Sequence, residues 1–186
     1  MISKTKKILI IGGGILGLSI ARKFLLEGYK NLIILEKERY IACHQSSRNS
    51  GVMHAGLYYE PQSVKAHLCR KGIDMMKDFC NRNSIKWQEC GKVVVATNQS
   101  EIKRLDQLFQ RGQINGLRGI KKITAKEVNL IEPYVEAKEG ILVPEESIVN
   151  YKEVANKFAE EVISLGGEIH LSSKVVGIKH LIKSEE

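Results

Sequence analysis

A chain of 186 residues, 43% of them hydrophobic and with a formal charge of +8, is long enough for one good-sized domain or one domain with an inserted lobe. No apolar run approaches the ~20 residues that a bilayer span needs. The 29 lysines and arginines are scattered, without a dense basic run or interleaved aromatics, so nucleic-acid binding is not expected and a solvated basic surface is.

Lys4, Lys6 and Lys7 precede an apolar run, Ile8-Leu9-Ile10-Ile11, that leads straight into Gly12-Gly13-Gly14-Ile15-Leu16-Gly17. That makes the run a first strand, not a signal peptide, and a cytoplasmic location is expected, with peripheral placement on the inner membrane surface left open. Ile15, Leu18, Ala21 and Leu25 recur at helical spacing, and Gly28 ends that helix. A second apolar run, Leu32-Ile33-Ile34-Leu35, closes on Glu36, 19 residues beyond Gly17. Residues 1–36 therefore read as a β-α-β unit for a dinucleotide. Gly12 permits the tight turn, Gly14 lets backbone approach a pyrophosphate, and Gly17 lets the helix pack on the strand. The pyrophosphate would rest on the helix N-terminus, along Ile15 and Leu16, where unpaired N–H groups and the helix dipole favour an anion. Glu36 would accept hydrogen bonds from a ribose hydroxyl pair, and an acid there argues against a 2′-phosphorylated nucleotide.

Residues 37–60 read as an extended loop rich in Ser, Asn, Gly and His. Residues 62–82 form one amphipathic helix, with Val64, Leu68, Met75, Met76 and Phe79 read as core packing. Lys92 to Ala96 is a strand, 100–112 a helix with Ile102, Leu105, Leu108 and Phe109 on one face, and 113–119 a loop. Thr124 to Glu127 has the pattern of a capping box for a short helix ending near Glu132-Pro133. Gly140 to Val143 is a short strand. These pieces do not alternate as βαβ and read as an inserted lobe. Residues 150–165 return to an amphipathic helix ended by Gly166-Gly167, followed by a strand at 168–171 and another from Lys174 to Ile182. Cys43, Cys69, Cys80 and Cys90 form no CxxC pair and no metal set with histidine, so they read as reduced thiols without a catalytic role.

Residues 44–69 run His-Gln-Ser-Ser-Arg-Asn-Ser-Gly-Val-Met-His-Ala-Gly-Leu-Tyr-Tyr-Glu-Pro-Gln-Ser-Val-Lys-Ala-His-Leu-Cys. This segment resembles the flavin-proximal stretch of the L-2-hydroxyglutarate oxidases and dehydrogenases, in the FAD-dependent D-amino-acid-oxidase-like superfamily. Cys90 to Ala96, Ile131-Glu132-Pro133-Tyr134 and Ile148-Val149-Asn150-Tyr151 carry further resemblance. Ser46-Ser47-Arg48 stands where that family usually has Thr-Gly-His, and Asn150-Tyr151 where it has Asp-Tyr.

The resemblance implies an α/β fold: a Rossmann-like FAD-binding domain of the glutathione-reductase type with part of an inserted α+β substrate lobe. Residues 1–84 would begin the FAD-binding domain, 85–147 would be part of the lobe, and 148–186 would resume the FAD-binding domain. The implied cofactor is FAD and the implied reaction is oxidation of a 2-hydroxy acid, with electrons passing on to oxygen or a quinone. Ser46, Ser47, Asn49, Ser50 and Gly51 would offer donors to the phosphates and the flavin edge, or else make turns of their own. Lys37 would lie along the adenosine or in solvent. Val175 is similar to a strand residue whose backbone contacts adenine. His54 suits a base or substrate contact, or a hydrogen bond to cofactor or backbone. Arg48 suits a substrate carboxylate, a phosphate or plain solvent. Family members are about twice this size, a nucleotide domain plus a full substrate lobe, so the resemblance covers an N-terminal half and a truncated, inactive fragment is expected. Other readings are a different superfamily member acting on an amine or glycerol 3-phosphate, a non-catalytic truncated product, and a plain NAD-binding module.

Overall fold

The computed structural model describes residues 3–179. The chain divides into two compact units, residues 1–49 with 150–186 and residues 50–149.

The first unit begins with β1 (Ile8–Ile11), α1 (Ile15–Leu26) and β2 (Leu32–Leu35), and resumes with α5 (Tyr151–Ser164) and β9 (Glu168–His170). Its three strands are parallel in the order β1-β2-β9, with Ile8 opposite Leu32 and Ile34 opposite Ile169. Leu32 and Ile34 of β2 and Glu36 just beyond it share one phase and are all buried. Leu18, Ala21 and Leu25 of α1 and Val154, Phe158 and Val162 of α5 complete this core. Each fully buried apolar side chain contributes roughly 1.5–3 kcal/mol. Arg22 of α1 ion-pairs with Glu161 of α5 and lies over the Phe158 ring.

The second unit holds β3 (Val52–Met53), α2 (Val64–Arg82), β4 (Trp87–Glu89), β5 (Lys92–Ala96), α3 (Gln99–Ile114), β6 (Lys121–Thr124), α4 (Ala125–Ile131), β7 (Glu139–Val143) and β8 (Ser147–Val149). They make two antiparallel three-stranded sheets, β3-β8-β4 and β5-β7-β6. Ala55, Leu57, Ala96, Leu105, Leu117, Ile141 and Val143 form its central cluster. Gly112 of α3 lets α3 lie close to that cluster, because a Cβ would lie 2.5 Å from Ile120 Cδ1 and 2.9 Å from Leu57 Cδ1 and those side chains would have to shift. Thr124 and Glu127 close a reciprocal capping box on α4.

Two expectations differ from the structure. The Val64, Leu68 and Met75 stripe of α2 is exposed, and its buried residues are Ala66, Ile73, Phe79 and Cys80. The strand expected over 174–182 is not formed across 174–179, where the backbone is irregular; 180–182 lie outside the described residues. Among the described residues no helix is long and apolar enough to cross a membrane.

Candidate functional site

In the first unit the turn after β1 has the geometry that its glycines require. Gly12 has φ +107°, a conformation open to glycine, and its N–H donates to Leu35 O at 2.9 Å. Gly17 lets α1 lie against that turn: a Cβ there would meet Gly12 O at 2.1 Å. Gly14 is the N-cap of α1 and provides no side-chain cap, which leaves first-turn amides for an acceptor from outside the helix. Ser46 Oγ accepts from Ile15 N–H at 3.0 Å and would be 3.1 Å from a Cβ on Gly14. Leu16, one residue on, is 76% exposed.

Glu36 is only 8% exposed. Its Oε2 accepts from Gly13 N–H at 2.6 Å and its Oε1 from Glu38 N–H at 2.9 Å. Each oxygen keeps a second lone pair, so the carboxylate remains able to accept from hydroxyls. Lys37 is exposed, with its ammonium 3.4 Å from Glu38.

The loop that follows is built largely from its own hydrogen bonds. Ser47 Oγ donates to Ala42 O at 2.6 Å, and Asn49 Nδ2 donates to Gln45 O at 2.8 Å. Ser47 and Asn49 thus shape the loop, while Ser46 reaches the α1 N-terminus. Arg48 is exposed, with its N–H bonded to His44 O. Val175 is half-buried in irregular backbone, so its expected setting on a strand is corrected.

In the second unit Ser50 is exposed, and Gly51 has φ +72° with its carbonyl accepting from Val149 N–H at 2.8 Å. A Cβ on Gly51 would lie 2.8 Å from Val149 O. His54 stands beyond β3 with its side chain 55% exposed and Nδ1 3.3 Å from Oε2 of Glu146.

Sequence reasoning passed over the charged group behind His54. Glu145 and Glu146 are both buried between β7 and β8. Arg70 grips Glu145 through both terminal nitrogens, at 2.6 and 3.2 Å, and Arg118 adds its N–H at 2.9 Å and Nε at 3.1 Å. Hydrogen bonds from Arg118 to Asp74 and Glu145 hold its guanidinium protonated above its already high range. Lys92 Nζ lies 2.6 Å from Glu146 Oε1 and 4.7 Å from the Tyr58 ring centre. Burial pushes the nearby Cys69 thiol up, with Glu145 and Glu146 acting the same way and Arg70 and Lys92 opposing. Two adjacent acids inside the apolar stretch Gly140 to Val149 were the available signal. Among the described residues no group of three or more His, Cys, Asp or Glu side chains is arranged to hold a metal ion.

These features fit a dinucleotide. The Gly12–Gly17 turn opens onto a helix start whose N-cap, Gly14, offers no side-chain acceptor, and Glu36 is held at the end of the second strand. The family model for FAD-dependent oxidoreductases (DAO) matches residues 7–185. The mitochondrial L-2-hydroxyglutarate dehydrogenase of Dictyostelium discoideum is 45% identical over 86% of this chain and 36% of its own length. The L-2-hydroxyglutarate dehydrogenase of Indibacter alkaliphilus is 42% identical over 93% of this chain and 44% of its own, and the human mitochondrial protein is 40% identical over 92% and 37%. The chain thus spans well under half the length of these relatives. Among solved structures, the dithionite-reduced L-alpha-glycerophosphate oxidase from Mycoplasma pneumoniae with FAD bound superposes with a TM-score of 0.82 at 26% identity, over 92% of this chain and 46% of that one. Glycine oxidase from Bacillus cereus shares the fold, with a TM-score of 0.80 at 23% identity over 94% of this chain and 50% of that one. With its nucleotide turn, its buried acid and this match over nearly its whole length, the chain belongs to the family of FAD-dependent oxidoreductases.

Proposed function

We propose that this chain holds FAD for the oxidation of a 2-hydroxy acid, L-2-hydroxyglutarate to 2-oxoglutarate. The observation that carries the cofactor assignment is the Gly12–Gly17 turn with Glu36 buried against it. The substrate assignment is supported by relatives 40–45% identical that are L-2-hydroxyglutarate dehydrogenases.

The start of α1, at Ile15 and Leu16 with Ser46 Oγ beside the Ile15 amide, receives the pyrophosphate; Gly14 keeps its approach clear, Gly12 makes the turn and Gly17 lets α1 pack against that turn. Glu36 accepts from the adenosine ribose, with Lys37 alongside. Ser46, Ser47, Asn49, Ser50 and Gly51 line the path toward the flavin, and the backbone at Val175 faces the adenine. Arg48 offers a fork for a substrate carboxylate. His54 is the base: its ring takes the proton from the hydroxyl as a hydride leaves the same carbon. Bound FAD supplies the acceptor for that hydride. The electrons pass to oxygen or a quinone, at a cytoplasmic site or on the inner membrane surface.

Flavin binding by the chain itself is the direct test. Titration with FAD is expected to quench flavin fluorescence, and Gly14→Val is expected to abolish the effect by filling the pyrophosphate's space. Equal quenching by the variant would overturn the cofactor site. Turnover is tested in a chimera in which this chain replaces the matching segment of the Indibacter alkaliphilus relative. Reduction of its flavin by L-2-hydroxyglutarate under anaerobic conditions is expected, and no reduction would overturn the substrate assignment.

A further inference from the structure

Glu146 is 1% exposed, and its two carboxylate oxygens are used unequally. Oε1 accepts from Lys92 Nζ at 2.6 Å and from Ala55 N–H at 3.2 Å. Oε2 is buried and has no hydrogen-bond partner; its neighbour is His54 Nδ1 at 3.3 Å, within ion-pair reach but short of a hydrogen bond's alignment. An orphaned carboxylate oxygen in a protein interior costs free energy, so one this close to a ring nitrogen is poised to be satisfied by it.

The carboxylate is held in that aim. Its main-chain carbonyl accepts from the N–H groups of Cys90 and Gly91, at 3.1 and 2.9 Å. The histidine is held as well: Cys69 Sγ donates to His54 O at 3.0 Å, and Arg70 Nη1 donates to Ala55 O at 3.3 Å. Asn115 Nδ2 fastens the next turn by donating to Gly56 O and Tyr59 O, at 3.0 and 2.8 Å. A pocket of about 130 Å³ opens at the pair, lined by His54, Gly56, Leu57, Tyr58, Tyr59 and Glu146.

We infer that Glu146 is the positioning residue for His54. Its Oε2 accepts the Nδ1 proton, which fixes the neutral ring in one tautomer and turns Nε2, as an acceptor, toward the pocket. Which ring nitrogen carries the proton is set by the hydrogen bond that the other environment imposes, and a carboxylate imposes the proton on its own side. When Nε2 takes a hydroxyl proton, the ring becomes an imidazolium and Glu146 stabilises that charge. The O–H bond breaks as the N–H bond forms, the freed electron pair closes the C=O bond, and the C–H electron pair leaves as hydride to the acceptor that bound FAD would supply. This role rests on the function proposed above, in which His54 is the base.

The 186-residue chain labelled with ¹⁵N-histidine tests the pairing without any turnover. Long-range ¹H–¹⁵N correlations at neutral or higher pH report the tautomer of each ring, and His54→Gln assigns the signal. The Nδ1–H form is expected for His54 in the parent and in Lys92→Met, which removes the other charged partner of Glu146. It is expected to shift toward Nε2–H in Glu146→Gln. If Glu146→Gln fails to fold, the parent and Lys92→Met spectra still decide. An Nε2–H ring in the parent overturns the pairing.

In the chimera, Glu146→Gln is expected to lower kcat by about 10²-fold with KM little changed, as His54→Gln does, and the double variant no further. Unchanged kcat in an active chimera overturns the positioning role. An inactive chimera whose parent chain carries the Nδ1–H ring refutes the proposed function and leaves the pairing standing.

Discussion

Two glycine-to-alanine substitutions are expected to move stability in opposite directions. Gly17 and Gly72 are both interior helical residues, in α1 and α2. In either, alanine gains roughly 0.5–1 kcal/mol from helix propensity. At Gly72 nothing lies within 4 Å of the new Cβ, so that gain stands alone. At Gly17 the new Cβ would sit 2.1 Å from Gly12 O. That oxygen belongs to backbone whose N–H is bonded to β2, so it cannot swing aside as a side chain would. Overpacking costs about 1–3 kcal/mol, and a backbone obstacle puts this case at the upper end. The clash wins, for a net loss of about 2 kcal/mol. At roughly 2–4 °C per kcal/mol for a chain of this size, Gly17→Ala is expected to melt about 4–8 °C below the parent. Gly72→Ala is expected to melt about 1–4 °C above it. Thermal unfolding followed by helical circular dichroism measures both. A Gly17→Ala midpoint equal to the parent's, or a shift of both variants in the same direction, would refute the packing account of the glycine turn.

Glu36→Ala is expected to cost about 1–3 kcal/mol in urea unfolding, because it leaves the buried Gly13 N–H without its acceptor. The same variant is expected to bind FAD more weakly, and equal affinity in a titration would count against the ribose role. Glu145→Gln is expected to destabilise by about 3 kcal/mol, the low end for breaking a buried pair, since Arg70 keeps some access to solvent; urea midpoints check this. Cys69 is expected to alkylate only as pH rises beyond the ordinary thiol range, because burial raises its pKa and the thiolate is the reactive form. Mass-mapped labelling across a pH series would refute this if Cys69 reacts fully at neutral pH.

Much of the first unit was legible along the chain because its signals are local. A strand, a glycine turn, a helix with Leu18, Ala21 and Leu25 on one face, and a closing acid lie within a few dozen residues, and each has its own steric or electrostatic reason to be there. The capping box at Thr124 was legible for the same cause: both partners sit within one turn. The short strands β3, β4, β6 and β8 were not legible. Two to four residues are too few to display an alternation, and their ladders are made with distant segments such as Val52 with Ile148. The burial of α2 was misjudged because helical spacing shows that a face exists but not which neighbours meet it. The pairing of His54 with Glu146 spans residues 54 to 146 and depends on β3 and β8 lying side by side. Composition and spacing determined the nucleotide turn and its acid. Only the tertiary structure decided which carboxylate stands behind which histidine, because that distance is set by strand pairing across the chain and not by any interval along it.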